Sequence, residues 1–473
     1  MRADKAKLDR AFSPKVLAII GDSGFLQWTR THSDFKGKLY SVHVNPKTIE
    51  QIEKLGIKNY RSVLEIPEPV DLAIVAVSRR VAYQVLEDCI KKDVAAAHFF
   101  TSGYAETGTE EGIRLEEELT RRAVEAGFHL IGPNCMGLYN PAVGLKQAMG
   151  QYSGSTGPVG FISQSGTHAI NFSLDAHLQG VDLRKSVSFG NGRVLDSAEF
   201  LDYFGQDDSI RVIGMYLEGV RDGRRFLEVL RQVSARKPVI IWKGGRTAGG
   251  GRAIASHTGS LAVPYNVWVS AVRQAGGIPV LSMDELIDTI KALLYLKPVY
   301  GKRVVLAGGS GGQSVAITDA FTEAGLEVPP LSEESYREFA EFFSLIGGSY
   351  QNPIDTGNPN RAQMKRIMEI IERDTETDNI VMLMYTGGAG PPGIADQRDE
   401  EIRGIVEMRR RSPKPVLVTL SVPFLPRVVG EARTLVKKLQ DGEVPAFTSL
   451  ERGAIALRNA YDYYRFREAV GVA

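Results

Sequence analysis

The chain has 473 residues, and because single hydrophobic cores stop growing near roughly 250–300 residues, several domains are expected. A hydrophobic fraction of 43% and a charged fraction of 24% are ordinary for a globular protein, and a net charge of +1 supplies no field that would draw nucleic acid or an anionic membrane. Cys89 and Cys135 are the only cysteines, too few for a disulfide framework, which fits a reducing compartment.

The opening MRADKAKLDRAFSPK is charged and leads into a short apolar run, unlike a signal peptide or a spanning helix. A cytoplasmic protein with no membrane partner is expected. Strands read as short β-branched runs closed by glycine and followed by helical patterns. KVLAIIGDSG, LYSVHVNPK, DLAIVAVS, AAAHFFTSG and FHLIGPN form a first series. GPVGFISQSG, LRKSVSFGNG, VIGMYLEG and KPVIIWKGG form a second, and KRVVLAGGSGG, NIVMLMYTGG and KPVLVTLS a third. Apolar strands alternating with 10–15-residue helical patterns predict parallel sheets covered on both faces. The expected class is α/β, with three consecutive doubly wound domains over 1–150, 151–298 and 299–473. In such sheets ligands sit at the carboxyl ends of strands, where loops expose backbone N–H groups.

In the first segment Gly21-Asp22-Ser23-Gly24 closes the first strand, and its glycines let backbone approach a phosphate. A tight turn would need glycine equally. The second strand ends in Asn45-Pro46-Lys47, where an NAD enzyme places an acid for the ribose hydroxyls. Lysine suits a phosphorylated ribose instead, as in NADP or coenzyme A. Further strand-end loops carry Val77-Ser78, Thr101-Ser102-Gly103 and Gly132–Gly137 with Asn134 and Cys135. Cys135 has no histidine in its motif and reads as packing.

The second segment says more. Ser163-Gln164-Ser165-Gly166-Thr167 lies between an apolar strand and a helical pattern, which makes either an anion site at a helix N-terminus or plain serine capping. His257 lies in ASHTGS, between Ser256 and Thr258-Gly259, after five glycines within 244–251. That run is expected to be a loop that moves, placing an accessible imidazole beside a helix start where it can take up a phosphoryl group. Glu218, at the end of the strand MYLEG, is a candidate to fix the imidazole tautomer and stabilise its charge.

SQSGT, YLEGVRDGRRF, KPVIIWKGGRT and ASHTGSLA together resemble the α part of the NDP-forming (ADP-forming) acyl-CoA synthetases, the succinyl-CoA synthetase superfamily. The resemblance covers nearly the whole chain and implies a Rossmann-type CoA-binding domain followed by two flavodoxin-like domains. It implies that His257 is transiently phosphorylated and held by Glu218, with phosphate at Gln164, Ser165, Gly166, Thr258 and Gly259. Coenzyme A would contact Gly21, Ser23, Gly24, Asn45, Lys47, Val77, Ser78, Thr101, Ser102, Gly103 and Asn134. Phe25, Leu26 and Trp28 depart from the family's first loop. No segment reads as an ATP-grasp module, so ADP or ATP with Mg2+ is expected on a separate ATP-grasp beta subunit, in an alpha2beta2 heterotetramer. Competing expectations are a non-catalytic CoA- or acyl-CoA-binding regulatory protein and an NAD(P)-dependent dehydrogenase.

Overall fold

The computed structural model describes residues 3–258, 264–309, 311–357, 360–386, 394–421 and 426–472. Seventeen strands are present among them. The first sheet contains β1 (Val16–Ile20), β2 (Lys38–Val42), β3 (Lys58–Tyr60), β4 (Leu72–Val75), β5 (Ala96–Phe99) and β6 (Leu130–Ile131), ordered β3-β2-β1-β4-β5-β6 with every pairing parallel. Both β1 and β4 are buried along their whole length, as expected for strands sandwiched between helices. Helix Arg79–Lys91 presents Ala82, Leu86 and Cys89 inward, a 4–3 spacing that lines one helical face.

The second sheet holds β7 (Gly137–Tyr139), β8 (Val159–Ser163), β9 (Leu183–Ser188), β10 (Val212–Leu217), β11 (Val239–Lys243) and β12 (Ile278–Val280), ordered β12-β11-β10-β8-β9-β7. Only β7 runs antiparallel, against β9. The third holds β13 (Val304–Gly309), β14 (Ile354–Asp355), β15 (Asn379–Tyr385), β16 (Val416–Ser421) and β17 (Ala446–Phe447), ordered β14-β13-β15-β16-β17. The first order is the Rossmann one. The other two share the flavodoxin order, if the β7 edge strand is set aside. The α/β class of three doubly wound sheets is thus what forms.

The chain divides into two compact units, 1–281 and 282–473. Within the first, one core runs through both sheets, from Leu8, Phe12 and Trp28 to Ile162, Phe200 and Trp268. Helix Lys5–Phe12 contributes to that continuity, since Phe12 stacks on Tyr203 with ring centroids 5.3 Å apart. Burying a ring of this size contributes roughly 1.5–3 kcal/mol. The sequence reading ended the second segment at 298, where LKPVYGKR looks like a linker. Helix Met283–Tyr295 falls in the C-terminal unit and packs on helix Leu450–Ala469. The reason is polar as well as apolar. Buried Asp288 lies 2.8 Å from Lys291 and 2.5 Å from Arg452, and Asn459 donates to Thr289 at 2.9 Å. Among the described residues no helix is long and apolar enough to cross a membrane.

Candidate functional site

Strand order reverses between β8 and β10 in the second sheet, and both strands end there in predicted site residues. Ser165 caps helix Gly166–Leu178, its Oγ accepting from the His168 amide at 3.4 Å. No acidic residue stands in the first turn of that helix, so its N-terminal partial charge is left to an external anion. Gln164 reaches across to β10. Its Oε1 accepts from the amides of Glu218 (2.8 Å) and Gly219 (3.0 Å). Sequence spacing of 54 residues is thereby closed to one hydrogen bond, and Gln164, Ser165, Gly166 and Glu218 share one corner.

Glu218 is 9% exposed. The Tyr216 hydroxyl lies 3.4 Å from its Oε1, and the Lys243 ammonium donates to its carbonyl at 2.7 Å. Tyr216 packs against His168 and Trp242, with ring centroids 4.3 and 4.7 Å away. Burial, then the neighbouring Glu218, pushes the Tyr216 phenol up; burial lowers Lys243 and His168 below their ordinary values. Gly244 is needed for this packing, since a Cβ there would stand 2.5 Å from the Tyr216 hydroxyl.

The segment leading to His257 is not the loop expected. Ala248–Thr258 is helical, although each glycine costs a helix about 1 kcal/mol relative to alanine. The Thr247 hydroxyl and carbonyl accept from the amides of Gly250 (3.1 Å) and Gly251 (2.7 Å), and Ile254 packs onto Gly245. A good cap and an apolar anchor offset the glycine cost. The backbone of His257 therefore stands in the last turn of a helix instead of ahead of one. Its side chain, that of Thr258, and all of Gly259 lie outside the described residues. This helix runs beside Ala105–Thr107 of the first sheet's loops.

The first sheet's carboxyl edge collects the remaining predicted residues, and its loops differ from one another. Asp22 occupies the N-terminus of helix Gln27–Thr31. Its Oδ1 accepts from the amides of Ser23 (2.8 Å) and Trp28 (3.3 Å), and its Oδ2 from the amide (2.9 Å) and hydroxyl (2.8 Å) of Thr29. A carboxylate there repels phosphate, so the loop of Gly21, Ser23 and Gly24 offers no anion site at its helix. Likewise Glu106 takes the Gly103 (2.6 Å) and Tyr104 (3.1 Å) amides. Thr101 is buried and turns its hydroxyl onto the Val77 carbonyl at 2.8 Å, while Ser102 is exposed. Asn45 caps its own helix through the Lys47 amide (3.0 Å), leaving the Lys47 side chain in solvent. Helix Arg79–Lys91 is the exception: Ser78 makes no side-chain cap, and Arg79 and Arg80 follow it.

Loop 132–137 joins the two edges. Asn134, at φ 58°, donates through Nδ2 to Asn191 at 3.4 Å, and Asn191 donates to Glu106 (2.8 Å) and buried Glu116 (2.5 Å). Met136 packs so closely on helix Gly166–Leu178 that a Cβ on Gly166 would stand 2.5 Å from its Cγ. Cys135 is buried, which pushes its thiol up to about 12 and leaves it unreactive.

Residues 25–141 match the CoA binding domain family, and residues 156–293 the succinyl-CoA ligase like flavodoxin domain family. The subunit alpha of acetate–CoA ligase [ADP-forming] I of Pyrococcus furiosus is 34% identical over 97% of this chain and 98% of its own length. The chain belongs to the alpha subunits of the ADP-forming acyl-CoA synthetases. Another member, acetate–CoA ligase [ADP-forming] I of Archaeoglobus fulgidus, is 37% identical over 80% of the chain, which spans only 55% of that longer relative. A solved acetyl-coenzyme A synthetase 1 of Ca. Korarchaeum cryptofilum, in complex with phosphate and ADP, has a TM-score of 0.84 at 32% identity over 98% of both chains.

In this synthetase chain, sequence reasoning named Glu218 and the start of helix Gly166–Leu178 but not Tyr216, Lys243 and His168, which lie beside them. Tyr216 had a signal, standing two residues before Glu218 at the end of a strand, where alternate residues point the same way. Lys243 and His168 had none, because their places depend on which strands become neighbours.

Proposed function

We propose that this chain is the catalytic alpha subunit of an ADP-forming acyl-CoA synthetase, interconverting acyl-CoA, phosphate and ADP with acid, CoA and ATP. The observation that carries the reading is the pairing of a helix N-terminus free of its own carboxylate with Glu218, held by Gln164, at one switch point. A phosphate oxygen attacks the thioester carbonyl, the C–S bond breaks, and CoA leaves as thiolate with acyl phosphate formed. An imidazole nitrogen of His257 then attacks phosphorus, and P–O cleavage releases the carboxylate. Glu218 holds the ring and balances the charge it gains. Phosphohistidine finally passes its phosphoryl group to ADP.

CoA is assigned to the edge of the first sheet. Its phosphates face the uncapped helix at Ser78 with Arg80, and Lys47 is placed for the ribose phosphate. Phe25 and Val44, 88% and 75% exposed, supply apolar surface for the base. The first glycine loop contributes shape more than phosphate contacts, given Asp22. The nucleotide with its Mg2+ is assigned to an ATP-grasp beta subunit in an alpha2beta2 assembly in the cytoplasm; relatives of equal length named as alpha subunits support the partner.

The test is reconstitution with the beta partner, followed by radiolabelling from ATP and by acyl-CoA- and phosphate-dependent ATP synthesis. Acid-labile, base-stable label on the wild type, lost in His257→Ala together with turnover, is expected. Turnover persisting in that variant would overturn the reading. Tight CoA binding without label under any condition would support the non-catalytic binder instead.

A further inference from the structure

In the C-terminal unit a cavity of about 620 Å³ opens between helices Met364–Arg373 and Ile394–Arg411, beside the end of β15. Small-molecule sites span about 300–1,000 Å³. No residue of this cavity takes part in the acyl-CoA chemistry proposed above. Its walls combine three kinds of surface. Met364 and Met368 give a soft, polarisable floor next to Tyr385. Opposite them Gly404 keeps the helix surface low, the nearest atom to an added Cβ being Met368 Sδ at 3.4 Å. Arg361, Arg398 and Arg403, with Lys365 and Arg411, outnumber Glu400 and Glu407 around the opening, and Arg398 lies 3.6 Å from Glu431.

The third surface is Glu401. Its side chain is 8% exposed and stands 3.7 Å from Arg361 Nη2, beyond hydrogen-bond range. Its Oε1 is buried with no hydrogen-bond partner among the described residues. Such an oxygen is costly unless something donates to it. Burial also raises the carboxyl above its usual range.

We propose that this cavity is a binding site for a nucleoside phosphate. The base lies on Met364, Met368 and Tyr385, an exocyclic N–H donates to Glu401 Oε1, and the phosphate oxygens face Arg398 and Arg403. Each part of the cavity excludes a simpler ligand. An inorganic anion would leave the methionines and Glu401 unused, and an apolar molecule would leave the guanidinium groups unused. A nucleoside phosphate carries all three complements in one molecule of suitable size.

The experiment is isothermal titration of the full chain, without its partner, using AMP, adenosine and inorganic phosphate as probes. The first sheet's edge is disabled throughout by Lys47→Glu with Arg80→Glu, because CoA, itself a nucleoside phosphate, would compete for the cavity. AMP is expected to bind one to one, more tightly than adenosine, and inorganic phosphate not to bind. Glu401→Met, which keeps side-chain length and removes the hydrogen bond, should weaken AMP and adenosine alike by tenfold or more. Arg403→Glu, on the exposed rim, should weaken AMP by a similar factor and leave adenosine unchanged. No AMP binding, or binding unaltered in both cavity variants, would overturn the proposal.

Discussion

At the scale of single residues, the corner around Glu218 makes a testable division of labour. Tyr216 reaches Glu218 Oε1 through its hydroxyl and is clamped by rings on two sides. In the proposed mechanism it is a positioning residue, acting on the imidazole only through the carboxylate. Tyr216→Phe keeps the ring packing, so stability should change by less than about 1 kcal/mol. Turnover should fall about 3–10-fold with KM for CoA unchanged, read in steady-state kinetics of the reconstituted complex. A second expectation concerns pH. Buried His32 and His98 are lowered by desolvation to about 4 and about 3. His32 Nε2 accepts from the Lys146 amide, at 3.3 Å, which leaves Nδ1–H to donate to the Trp28 carbonyl at 2.9 Å and fixes the neutral tautomer. The unfolded chain protonates both rings near pH 6.5 while the native one resists. Their contribution to stability is therefore complete above that pH and lost as pH falls toward 4 and 3. The loss is about 1.4 kcal/mol per unit for each ring. Urea midpoints should be flat from pH 7 to 8 and decline below 6, with His32→Gln making the decline shallower. The corner shared by Glu218 and the start of helix Gly166–Leu178 was legible as a strand-end loop cluster because glycine and hydroxyl residues follow the strands there. Asp22 and Glu106 were not: the residues whose amides they hold show only after folding which helix ends are already filled.

At the scale of elements, the glycine-bearing helix Ala248–Thr258 is where sequence and structure part most clearly. Glycine content argued for a loop, yet one threonine cap and the Ile254–Gly245 contact suffice to close the helix. Local composition reports the cost of a conformation and not the contacts that meet it. A helix carrying this much glycine is only marginally stable, which is compatible with a segment that unwinds to carry phosphohistidine elsewhere. Gly249 tests this. A Cβ there meets nothing closer than Arg252 Nη2 at 3.8 Å, so Gly249→Ala should firm the helix by about 1 kcal/mol without a clash. Nucleotide-coupled turnover should drop severalfold while phosphate-dependent cleavage of acyl-CoA is retained. Equal loss of both half-reactions would count against unwinding.

At the scale of the molecule, the strand orders were foreseeable in class but not in detail. Alternating strand and helix patterns led to three parallel sheets. The antiparallel edge strand β7 and the merging of two sheets into one unit left no local signal. The shared core predicts a specific behaviour. A fragment of residues 1–281 should unfold in one calorimetric transition despite having two sheets, because Phe12, Trp28 and Phe200 belong to a single cluster. Two resolved transitions would show that the sheets are energetically separate.

The carboxylate at the first helix start also bears on attempts to re-engineer the cofactor choice of this scaffold. Swapping Lys47 for an acid, the obvious step toward a nicotinamide binder, would leave Asp22 in the place that a dinucleotide's diphosphate needs. Exchanging Asp22 as well would strip Thr29 and Trp28 of their acceptors and loosen the turn that seats Trp28 in the core. Ligand preference here is thus written into a structural cap, and conversion would demand a rebuilt loop of new length in place of point changes.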